Sequence, residues 1–413
     1  MGLLPTPMYE KFKVHLQTRI ISSTITVMEN GYLFYLALFG SFAFLYKTIA
    51  FARGIRIIEQ LGSVAPLTES DHAPKVSIIV TACNEARSIK EAVNTLLNIN
   101  YPDFEIIVVN DRSTDATGEI LDLVAKQNRH LEVIHNKSLP EGFLGKCHAM
   151  HIGSEIATGE YLLFTDGDVM LHKETLNHAI AAIQIGDLDH LPVAPEIIVP
   201  SRFLDMMIHC FAFLFFHYIR PWLFERPNNK VAIGIGAFNL VKTTTYIASG
   251  GHKAIAMRPD DDVMLGKNMK CHGARGKFYL GEHFIRVAWY HTLKEMVIGL
   301  EKNTFAGFNY SLFMAFGGAT LLGLLFIACP ILLFFTTGKL FITLCIINAY
   351  WLYSHYHFAI HHKTPKYYGL FMPLTTATLI FIIVRSTLLT VTQGGIYWRG
   401  TFYDLKKLKA NKI

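Results

Sequence analysis

Two hydrophobic patterns divide this chain of 413 residues. Over residues 74–290, short β-branched runs alternate with polar stretches of helical period, as in KVSIIVTA before EARSIKEAVNTLLN and FEIIVVND before TGEILDLVAKQ. That alternation predicts an α/β domain in which crossover helices join the strands of a mostly parallel sheet. The apolar runs on either side are longer and carry few charges, so they predict helices in a lipid environment.

The first long apolar run spans residues 31–51 and has about the 20 residues that a bilayer core requires. Arg53 and Arg56 follow it, which predicts an uncleaved transmembrane anchor whose next segment lies in the cytoplasm. Residues 311–392 predict about three further spans, at 311–336, 340–360 and 368–391. Four spans would leave the basic C-terminus outside, against the positive-inside rule, so a re-entrant or interfacial segment stays open as an alternative.

Shorter segments complete the predicted organisation. They are an N-terminal amphipathic segment at 1–30, an interfacial connection at 291–310 and a basic interfacial tail at 393–413. A further apolar stretch, residues 203–224, lies inside the α/β domain and is interrupted by histidine and arginine. Its place between two pieces of one domain favours a buried or membrane-surface helix over a spanning one.

Composition agrees with a partly lipid-embedded chain. The residues are 51% hydrophobic and only 17% charged, against roughly 25% charged in a soluble domain. The net charge of +6 comes from basic residues beside apolar segments and at the C-terminus, a placement that fits anionic lipid headgroups better than nucleic acid. The six scattered cysteines include no CxxC pair, which argues against a disulfide scaffold or a zinc site.

Polar side chains follow the first two predicted strands. Asn84 and Glu85 come directly after KVSIIVTA, and Asp111 ends FEIIVVND. Because ligands bind outside the carboxyl ends of strands in an open parallel sheet, these residues predict a nucleotide-sized crevice. Glu85 is placed to accept a hydrogen bond from a base N–H, and Asp111 from the base or the ribose. Taken singly, each residue is equally consistent with a helix cap.

A third predicted strand, YLLF, ends in Asp166-Gly167-Asp168. Two carboxylates one residue apart repel each other, and a hard divalent cation, Mg²⁺ or Mn²⁺, offsets that repulsion while it binds phosphate oxygens. We interpret the glycine between them as room for the ligand to approach. An exposed acidic turn is the alternative, and the buried strand before it weakens that alternative.

Two further motifs surround this pair. Lys146 ends the glycine-bearing loop PEGFLGK, where its charge could lie along a diphosphate or simply be solvated. Asp261 and Asp262 open a predicted helix. They either complement the helix dipole, or one of them is the general base that deprotonates an acceptor hydroxyl.

In this order, the segments VSIIVTACNEARSI, EIIVVNDRSTDAT, EGFLGKCHA, LLFTDGD and DDVMLG resemble glycosyltransferase family 2. The resemblance covers about residues 74–290 and implies an inverting hexosyltransferase with a nucleotide-sugar-binding A-type fold. The hydrophobic flanks resemble the membrane-bound branch of ceramide glucosyltransferase-like and hopanoid- or carotenoid-associated enzymes.

The resemblance also implies roles for the matched residues. The nucleotide would contact Thr81, Glu85 and Asp111, and the metal and diphosphate would bind Asp166 and Asp168. The family's acidic pair before Leu-Gly falls on Asp261-Asp262, of which the second is the base. The first is Asp where the family more often has Glu.

Trp398 and Arg399 lie in QGGIYWRGT, which departs from the QxxRW signature of processive members in order and spacing. That departure puts polymer synthesis in doubt. The segment is more similar to the WRGTxY ending of smaller lipid glycosyltransferases, in which the two residues would lie on the acceptor side. An interfacial aromatic and basic anchor explains them equally well.

We therefore expect an integral membrane glycosyltransferase that moves a sugar from a nucleoside-diphosphate sugar, with UDP as the first candidate nucleotide, to a lipid acceptor. We expect a cytoplasmic catalytic domain at a bacterial inner membrane. The sequence predicts no oligomeric state.

Three other functions stay open on the sequence alone. A polysaccharide synthase of the same family would share the donor site. A component that binds sugar or polymer without chemistry is less consistent with an intact metal pair and base. A di-iron desaturase-like enzyme would draw on His355, His357, His361 and His362, although the other segments carry no companion histidine boxes.

Overall fold

The computed structural model describes residue 35 and residues 38–411. The predicted N-terminal segment 1–30 and the first part of the predicted anchor lie outside these residues. By its internal packing the described chain divides into two units. One contains residues 54–321 and 377–411, and the other contains residues 38–53 and 322–376.

The first unit is built on one mixed sheet in the strand order β1-β9-β7-β8-β5-β2-β3-β4, with β6 added against β9. Five of its strand pairs are parallel and three are antiparallel. The mostly parallel α/β fold is therefore confirmed. The strands are β1 (Glu59–Gln60), β2 (Val76–Ala82), β3 (Phe104–Asp111), β4 (Leu131–Asn136), β5 (Tyr161–Asp166), β6 (Val169–Leu171), β7 (His190–Ile197), β8 (Asn239–Lys242) and β9 (Tyr279–Val287).

Helices follow most of these strands, as the alternating pattern predicts. Those of the first half of the chain are α1 (residues 38–56), α2 (Ile89–Leu97), α3 (Thr117–Ala125), α4 (Gly145–Ile156), α5 (Thr175–Gly186) and α6 (Arg202–Ile219). Those after them are α7 (Thr243–Ala248), α8 (Gly251–Ala254), α9 (Asp261–Cys271), α10 (Leu293–Gly307), α11 (Leu312–Gly323), α12 (Cys329–Leu332), α13 (Gly338–His361), α14 (Met372–Gln393) and α15 (Leu405–Ala410). A π-helical turn at Leu324–Ala328 joins α11 to α12.

The central strands are hydrophobic in continuous runs because helices cover both faces of the sheet. Ile78, Val108 and Leu163 pack into the main core on one face, and the alternate residues Ile79 and Leu162 pack into a second core on the other. All five side chains are buried. This double burial holds β2, β3 and β5 in a fixed register and so positions the residues that follow them.

The carboxyl ends of these strands meet at one edge of the sheet. Thr81 on β2 pairs with Asp166 at the end of β5, and Ala82 pairs with Asn110 near the end of β3. At the outer side, Asp111 pairs with Asn136 of β4. The strand-end residues that the sequence singled out are therefore neighbours in space.

Three described helical segments are long and apolar enough to cross a membrane. They are Arg202–Leu223, Leu312–Leu332 and Lys366–Gln393. The last two correspond to predicted C-terminal spans, whereas α13, at the predicted span 340–360, is not among the three. The first corresponds to the predicted surface or buried helix, and its residues Leu204 and Met207 pack in a core with Met296 and Leu300 of α10.

The second unit is helical in its described part. Phe51 of α1 packs against Phe358 of α13 with ring centroids 6.2 Å apart. Trp351 of α13 meets Phe326 edge-on and donates its Nε1–H to Asn348 Oδ1 at 3.1 Å. Satisfying the indole N–H within the same helix removes the cost of burying it.

The described part of the predicted basic tail 393–413, which ends at residue 411, is folded. It forms an antiparallel hairpin of β10 (Gly395–Trp398) and β11 (Thr401–Asp404), followed by α15. Tyr403 is buried and lies 3.3 Å from the backbone N of Gly145, which donates to its hydroxyl. Leu408 is fully buried. The tail thus packs against the catalytic-domain fold within the first unit, a contact that the charge pattern did not predict.

Candidate active site

The acidic turn begins where β5 ends. Asp166 is the last residue of that strand, and Gly167 and Asp168 lead directly into β6. The N–H of Gly167 donates to the carbonyl of Thr81 at 3.1 Å, and a Cβ on Gly167 would lie 3.1 Å from both that oxygen and Ile89 Cδ1. Gly167 therefore packs closely against β2 and α2. Its role in giving a ligand room to approach stays a prediction.

The two carboxylates of this turn lie in different surroundings. Lys146 Nζ lies 2.7 Å from Asp166 Oδ1. Among the described residues no cation forms an ion pair with Asp168, and burial together with the charges of Asp166 and Glu85 raises the pKa of Asp168 to about 7. A group in this state gains from a nearby cation, because a positive charge stabilises its ionised form.

Lys146 lies in the first turn of α4, not in the loop before it as the sequence predicted. Besides Asp166, its ammonium approaches Asp261 Oδ2 at 3.6 Å. Burial alone lowers the pKa of Lys146, but the charges of Asp166, Asp261 and Asp262 outweigh burial and raise it above its ordinary value. Lys146 therefore remains charged between the acidic turn and the start of α9.

Asp261 and Asp262 occupy the first turn of α9, as predicted. Asp261 is buried, and Asp262 accepts hydrogen bonds from the N–H of Gly236 at 2.9 Å and of Val263 at 2.8 Å. Burial, followed by the charge of Asp261, raises the pKa of Asp262 to about 6. A carboxylate with a pKa near this value can act as a general base close to neutral pH.

Gly236 lies at the centre of this cluster and was not singled out from the sequence. A Cβ at this position would lie 3.0 Å from Asp166 Oδ2, 3.3 Å from Lys146 Nζ and 3.6 Å from Asp262 Oδ2. Because it has no side chain, Asp166, Lys146 and Asp262 can lie close together around it. The signal that could have found it is the Gly-x-Gly of GIGAFN, shortly before β8.

On the predicted nucleotide side, Asp111 is buried and paired with its neighbour. Arg112 donates from Nε to Asp111 Oδ1 at 2.9 Å and from Nη2 to Oδ2 at 2.8 Å, while Asn136 Nδ2 donates to Oδ1 at 2.7 Å. Arg112 adopts a left-handed backbone conformation with φ 56°. It also donates from Nη1 to Thr401 of the hairpin at 3.1 Å.

Glu85 is also paired with an arginine, but this one comes from the other end of the chain. Arg399 Nη2 donates to Glu85 Oε1 at 2.8 Å. Asn84, with φ 58°, uses Oδ1 to accept hydrogen bonds from the N–H of Thr114 at 2.8 Å and of Asp115 at 3.3 Å. The contacts of Asn84 therefore agree with the capping interpretation, because its side chain accepts hydrogen bonds from the loop after β3.

Trp398 and Arg399 are adjacent in sequence and lie next to each other in the folded chain. Arg399 pairs with Glu85, and its guanidinium carbon lies 5.7 Å from the centroid of the Trp398 ring, which has Lys302 Nζ at 4.1 Å. Lys302 is on α10, within the predicted interfacial connection 291–310, where the sequence predicted no site residue. No sequence motif marks it.

A divalent cation fits the donor set of the acidic turn. Among the described residues, no three His, Cys, Asp or Glu side chains are grouped so as to hold a metal ion. Mg²⁺ and Mn²⁺ at phosphate-transfer sites take only one or two carboxylates from the protein and complete their shell with phosphate oxygens and water. The raised pKa of Asp168 indicates a carboxylate that is short of positive charge.

Comparison with known proteins shows which family this part of the chain matches and which proteins it is similar to. Residues 77–243 match the family described as Glycosyl transferase family 2. Glycosyltransferase GlyG of Streptococcus pneumoniae is 31% identical over 114 residues, which are 28% of this chain and 36% of that protein. The beta-monoglucosyldiacylglycerol synthase of Nostoc sp. is 32% identical over 113 residues, which are 27% of this chain and 24% of that protein. The matched segment thus spans between about a quarter and about a third of the length of these two relatives.

One solved structure resembles this chain over most of its length. The mannosyltransferase PcManGT from Pyrobaculum calidifontis, in complex with GDP-Man and Mn²⁺, aligns with a TM-score of 0.55 and 17% identity, covering 86% of this chain and 99% of that one. The likeness shows the fold. The predicted nucleotide-sugar-binding A-type fold is therefore confirmed.

Proposed function

We propose that this chain, which carries a glycosyltransferase family 2 domain over residues 77–243, transfers a sugar from a nucleoside-diphosphate sugar to a membrane lipid with inversion of configuration. The main support for the proposal is the cluster of side chains around Gly236. There Asp166 and Asp262 approach Gly236 from two sides, with Lys146 beside both.

Asp262 is the proposed general base. Its carboxylate is held by two backbone N–H groups, so its orientation is fixed before an acceptor arrives. An acceptor hydroxyl in the space beside Gly236 would give its proton to Asp262 and attack the anomeric carbon directly. Asp261 would raise the basicity of Asp262 through its negative charge, since a like charge nearby disfavours the ionised form.

Asp166 and Asp168 are the proposed ligands of Mg²⁺ or Mn²⁺, which when bound would neutralise the charge that develops on the departing diphosphate. Lys146 would then turn from Asp166 towards the diphosphate, adding a second positive charge. Thr81, Glu85 and Asp111 are proposed to line the nucleotide side. The proposed nucleotide is UDP.

The proposed lipid acceptor is supported by the apolar surface of the chain. Three described helical segments are suited to crossing a membrane. Large aromatic side chains are exposed in this part of the chain, with Phe313 of α11 88% and Phe334 of the turn after α12 85% accessible. Exposure of this kind is costly in water and favourable in lipid. We propose an integral protein of a bacterial inner membrane, with the catalytic domain in the cytoplasm.

The di-iron alternative is set aside because residues 77–243 match a glycosyltransferase family and the matched relatives are glycosyltransferases. The polysaccharide synthase alternative uses the same donor chemistry, so it differs from our proposal only in its product. A single sugar on a lipid supports the proposal, and a high-molecular-weight polymer supports the alternative.

The test uses the purified full chain in detergent with Mn²⁺, a bacterial lipid extract and labelled UDP-sugars or GDP-mannose. We expect label to enter the lipid phase and Asp262→Asn to reduce that transfer by about a hundredfold or more. Asp187→Asn is the matched control, because Asp187 is exposed and pairs only with the exposed Arg275 at the surface. Full transfer by Asp262→Asn would refute the role of Asp262 as base.

A further inference from the structure

The C-terminal hairpin of β10 and β11 contacts the strand ends on the proposed nucleotide side. At the turn of the hairpin, Arg399 Nη2 donates to Glu85 Oε1 at 2.8 Å. At the start of β11, the Thr401 hydroxyl accepts a hydrogen bond from Arg112 Nη1 at 3.1 Å. A segment from the end of the chain therefore forms part of the surroundings of the residues that follow β2 and β3.

The turn of this hairpin is an unfavourable position for an arginine. Trp398 pairs with Thr401, so Arg399 and Gly400 form a two-residue turn, in which their φ angles are 46° and 77°. Turns with positive φ at both positions favour Asn-Gly or Asp-Gly, because larger L-residues are strained there. The pair with Glu85 adds little stability, because its side chains are 35% and 23% exposed. Neither the turn nor the stability of the fold therefore explains the arginine.

The side chain of Glu85 depends on this arginine for its orientation. The backbone of Glu85 is held by nearby residues, because its N–H donates to Thr117 Oγ1 at 2.8 Å and its carbonyl accepts from the N–H of Ile89 at 2.9 Å. Among the described residues, Arg399 alone donates a hydrogen bond to the Glu85 carboxylate, and it does so at Oε1. One oxygen of Glu85 is therefore held by the hairpin, and Oε2 is left to accept a hydrogen bond from a ligand.

Asp111, the other carboxylate on this side, is less available to a ligand. It is 4% exposed, and its two oxygens accept three hydrogen bonds, two from Arg112 and one from Asn136. The Glu85 side chain is 23% exposed. Glu85 is therefore the carboxylate of this pair that a nucleobase can reach.

From these contacts, and resting on the proposed function, we infer that Arg399 is a positioning residue of the donor site, which holds Glu85 so that Oε2 accepts a hydrogen bond from a ring N–H of the nucleobase. A carboxylate that is paired with an arginine accepts hydrogen bonds and donates none. Uracil and guanine have a ring N–H on their pairing edge, at N3 and N1. Cytosine N3 and adenine N1 carry a lone pair instead, which a carboxylate repels.

The hairpin therefore favours donors that contain uracil or guanine over donors that contain cytosine or adenine. This donor-side role differs from the acceptor-side role that the sequence predicted for Arg399. The guanidinium also lies near the Trp398 ring, with its central carbon 5.7 Å from the ring centroid. That contact further limits the orientations of the arginine.

The hairpin has anchors that do not involve Arg399. Tyr403 and Leu408 are buried. Asn411 exchanges hydrogen bonds of 2.9 and 3.0 Å with the backbone at the end of α8 and just after it. Arg399→Asn therefore removes the contact with the carboxylate and keeps these anchors, and asparagine is a favoured residue at the first position of such a turn.

The test measures binding of UDP, GDP, CDP and ADP to the full chain in detergent with Mn²⁺, for wild type, Arg399→Asn, Glu85→Gln and the double variant. We expect the wild type to prefer UDP or GDP over CDP and ADP by about a hundredfold. Arg399→Asn should weaken binding of the preferred nucleotide by about tenfold and leave binding of CDP and ADP unchanged. The double variant should bind like Glu85→Gln alone, because Arg399 acts through Glu85. Arg275→Asn is the matched control, because it breaks another exposed pair of the same length, with Asp187 at 2.8 Å.

Several results would overturn this role for Arg399 and leave the proposed function intact. One is an unchanged affinity and base preference in Arg399→Asn or in Glu85→Gln. Another is an equal weakening of all four nucleotides together with a lower unfolding temperature than that of Arg275→Asn, which would mean that the arginine only supports the hairpin. Additive losses in the double variant would mean that Arg399 contacts the nucleotide directly and does not act through Glu85.

The wild type separates failure of the inference from failure of the proposed function. A wild-type chain that prefers CDP or ADP overturns the inference alone. A wild-type chain that binds none of the four nucleotides with Mn²⁺ overturns the proposed function as well. Should Arg399→Asn fail to fold, Arg399→Lys and Arg399→Gln test the same contact, since only lysine keeps the charge, and an equal base preference in these two variants would overturn the inference.

Discussion

Two groups of carboxylates lie at one edge of the sheet, and they differ in the cations that pair with them. On the proposed nucleotide side, Asp111 and Glu85 each pair with an arginine, Arg112 and Arg399. On the proposed metal side, Lys146 is the one cation that pairs with the described carboxylates Asp166 and Asp261, and Asp168 and Asp262 have raised pKa values of about 7 and about 6.

The difference shows which carboxylates are satisfied by the protein itself. A carboxylate with its own arginine contributes to the folded state without a ligand. A carboxylate whose pKa is raised by burial and like charge destabilises the folded state until a cation arrives or a proton binds. The metal side is therefore the part of the site that is organised for a ligand, and the nucleotide side is organised largely by the fold. Four predictions test this contrast, from the largest expected effect to the smallest.

Asp166→Asn should cause the largest loss, because it removes a proposed metal ligand and the partner of Lys146. A bound metal is worth several kcal/mol in such a transfer, so we expect transfer to fall by about a thousandfold or more. Chelation of divalent ions should produce a similar loss in the wild type. Sugar transfer to lipid is the measurement, with Asp187→Asn as the surface control. Undiminished transfer by the chelated wild type would contradict a metal role for the turn.

Arg112→Met should have the largest effect on stability. Asp111 is 4% exposed, and the substitution leaves its carboxylate with only the Asn136 amide. Removing one partner of a buried pair typically costs about 3 kcal/mol or more. We expect a loss of about that size in chemical unfolding of the metal-free chain. The double variant Asp111→Asn with Arg112→Met should recover most of it. A loss below about 1 kcal/mol in the single variant would mean that the pair does not support the fold.

The pH dependence of transfer should report Asp262. A general base must be unprotonated, and burial with the charge of Asp261 raises the pKa of Asp262 to about 6. We therefore expect kcat/KM to be constant above about pH 7 and to fall about tenfold per pH unit below about pH 6. The profile should be measured at saturating Mn²⁺. A rate that stays constant down to about pH 4.5 would indicate that another group accepts the proton.

Arg399→Met should have the smallest effect on stability. The Arg399 and Glu85 side chains are 35% and 23% exposed, so solvent screens their pair more than that of Asp111. We expect a loss of about 1 kcal/mol or less. Chemical unfolding of Arg399→Met beside Arg112→Met checks the difference directly. Equal losses would show that the two arginines hold the fold to the same degree, and the nucleotide side would then have to be treated as one structural network.

Local sequence patterns determined much of this protein. The run FEIIVVND is a strand with the predicted bounds, Phe104–Asp111, and KVSIIVTA is a strand from Val76 to Ala82. They could be predicted because strand formation and double-sided burial depend on residue types within a few positions. For the same reason the acidic turn was correctly placed at a strand end and Asp261-Asp262 at a helix start. The fold then brought these motifs to a common edge, as the rule for parallel sheets predicts.

Only the tertiary structure determines which residues pair with the site residues. Arg399 reaches Glu85 across 314 positions of sequence, and Lys302 comes from a helix that carries no motif. Gly236 matters because a side chain there would occupy the space between Asp166 and Asp262. Pairing and exclusion of this kind depend on which surfaces the folded chain brings within a few ångströms of each other. Local patterns encode the elements, whereas these long-range contacts arise only from the way the elements pack.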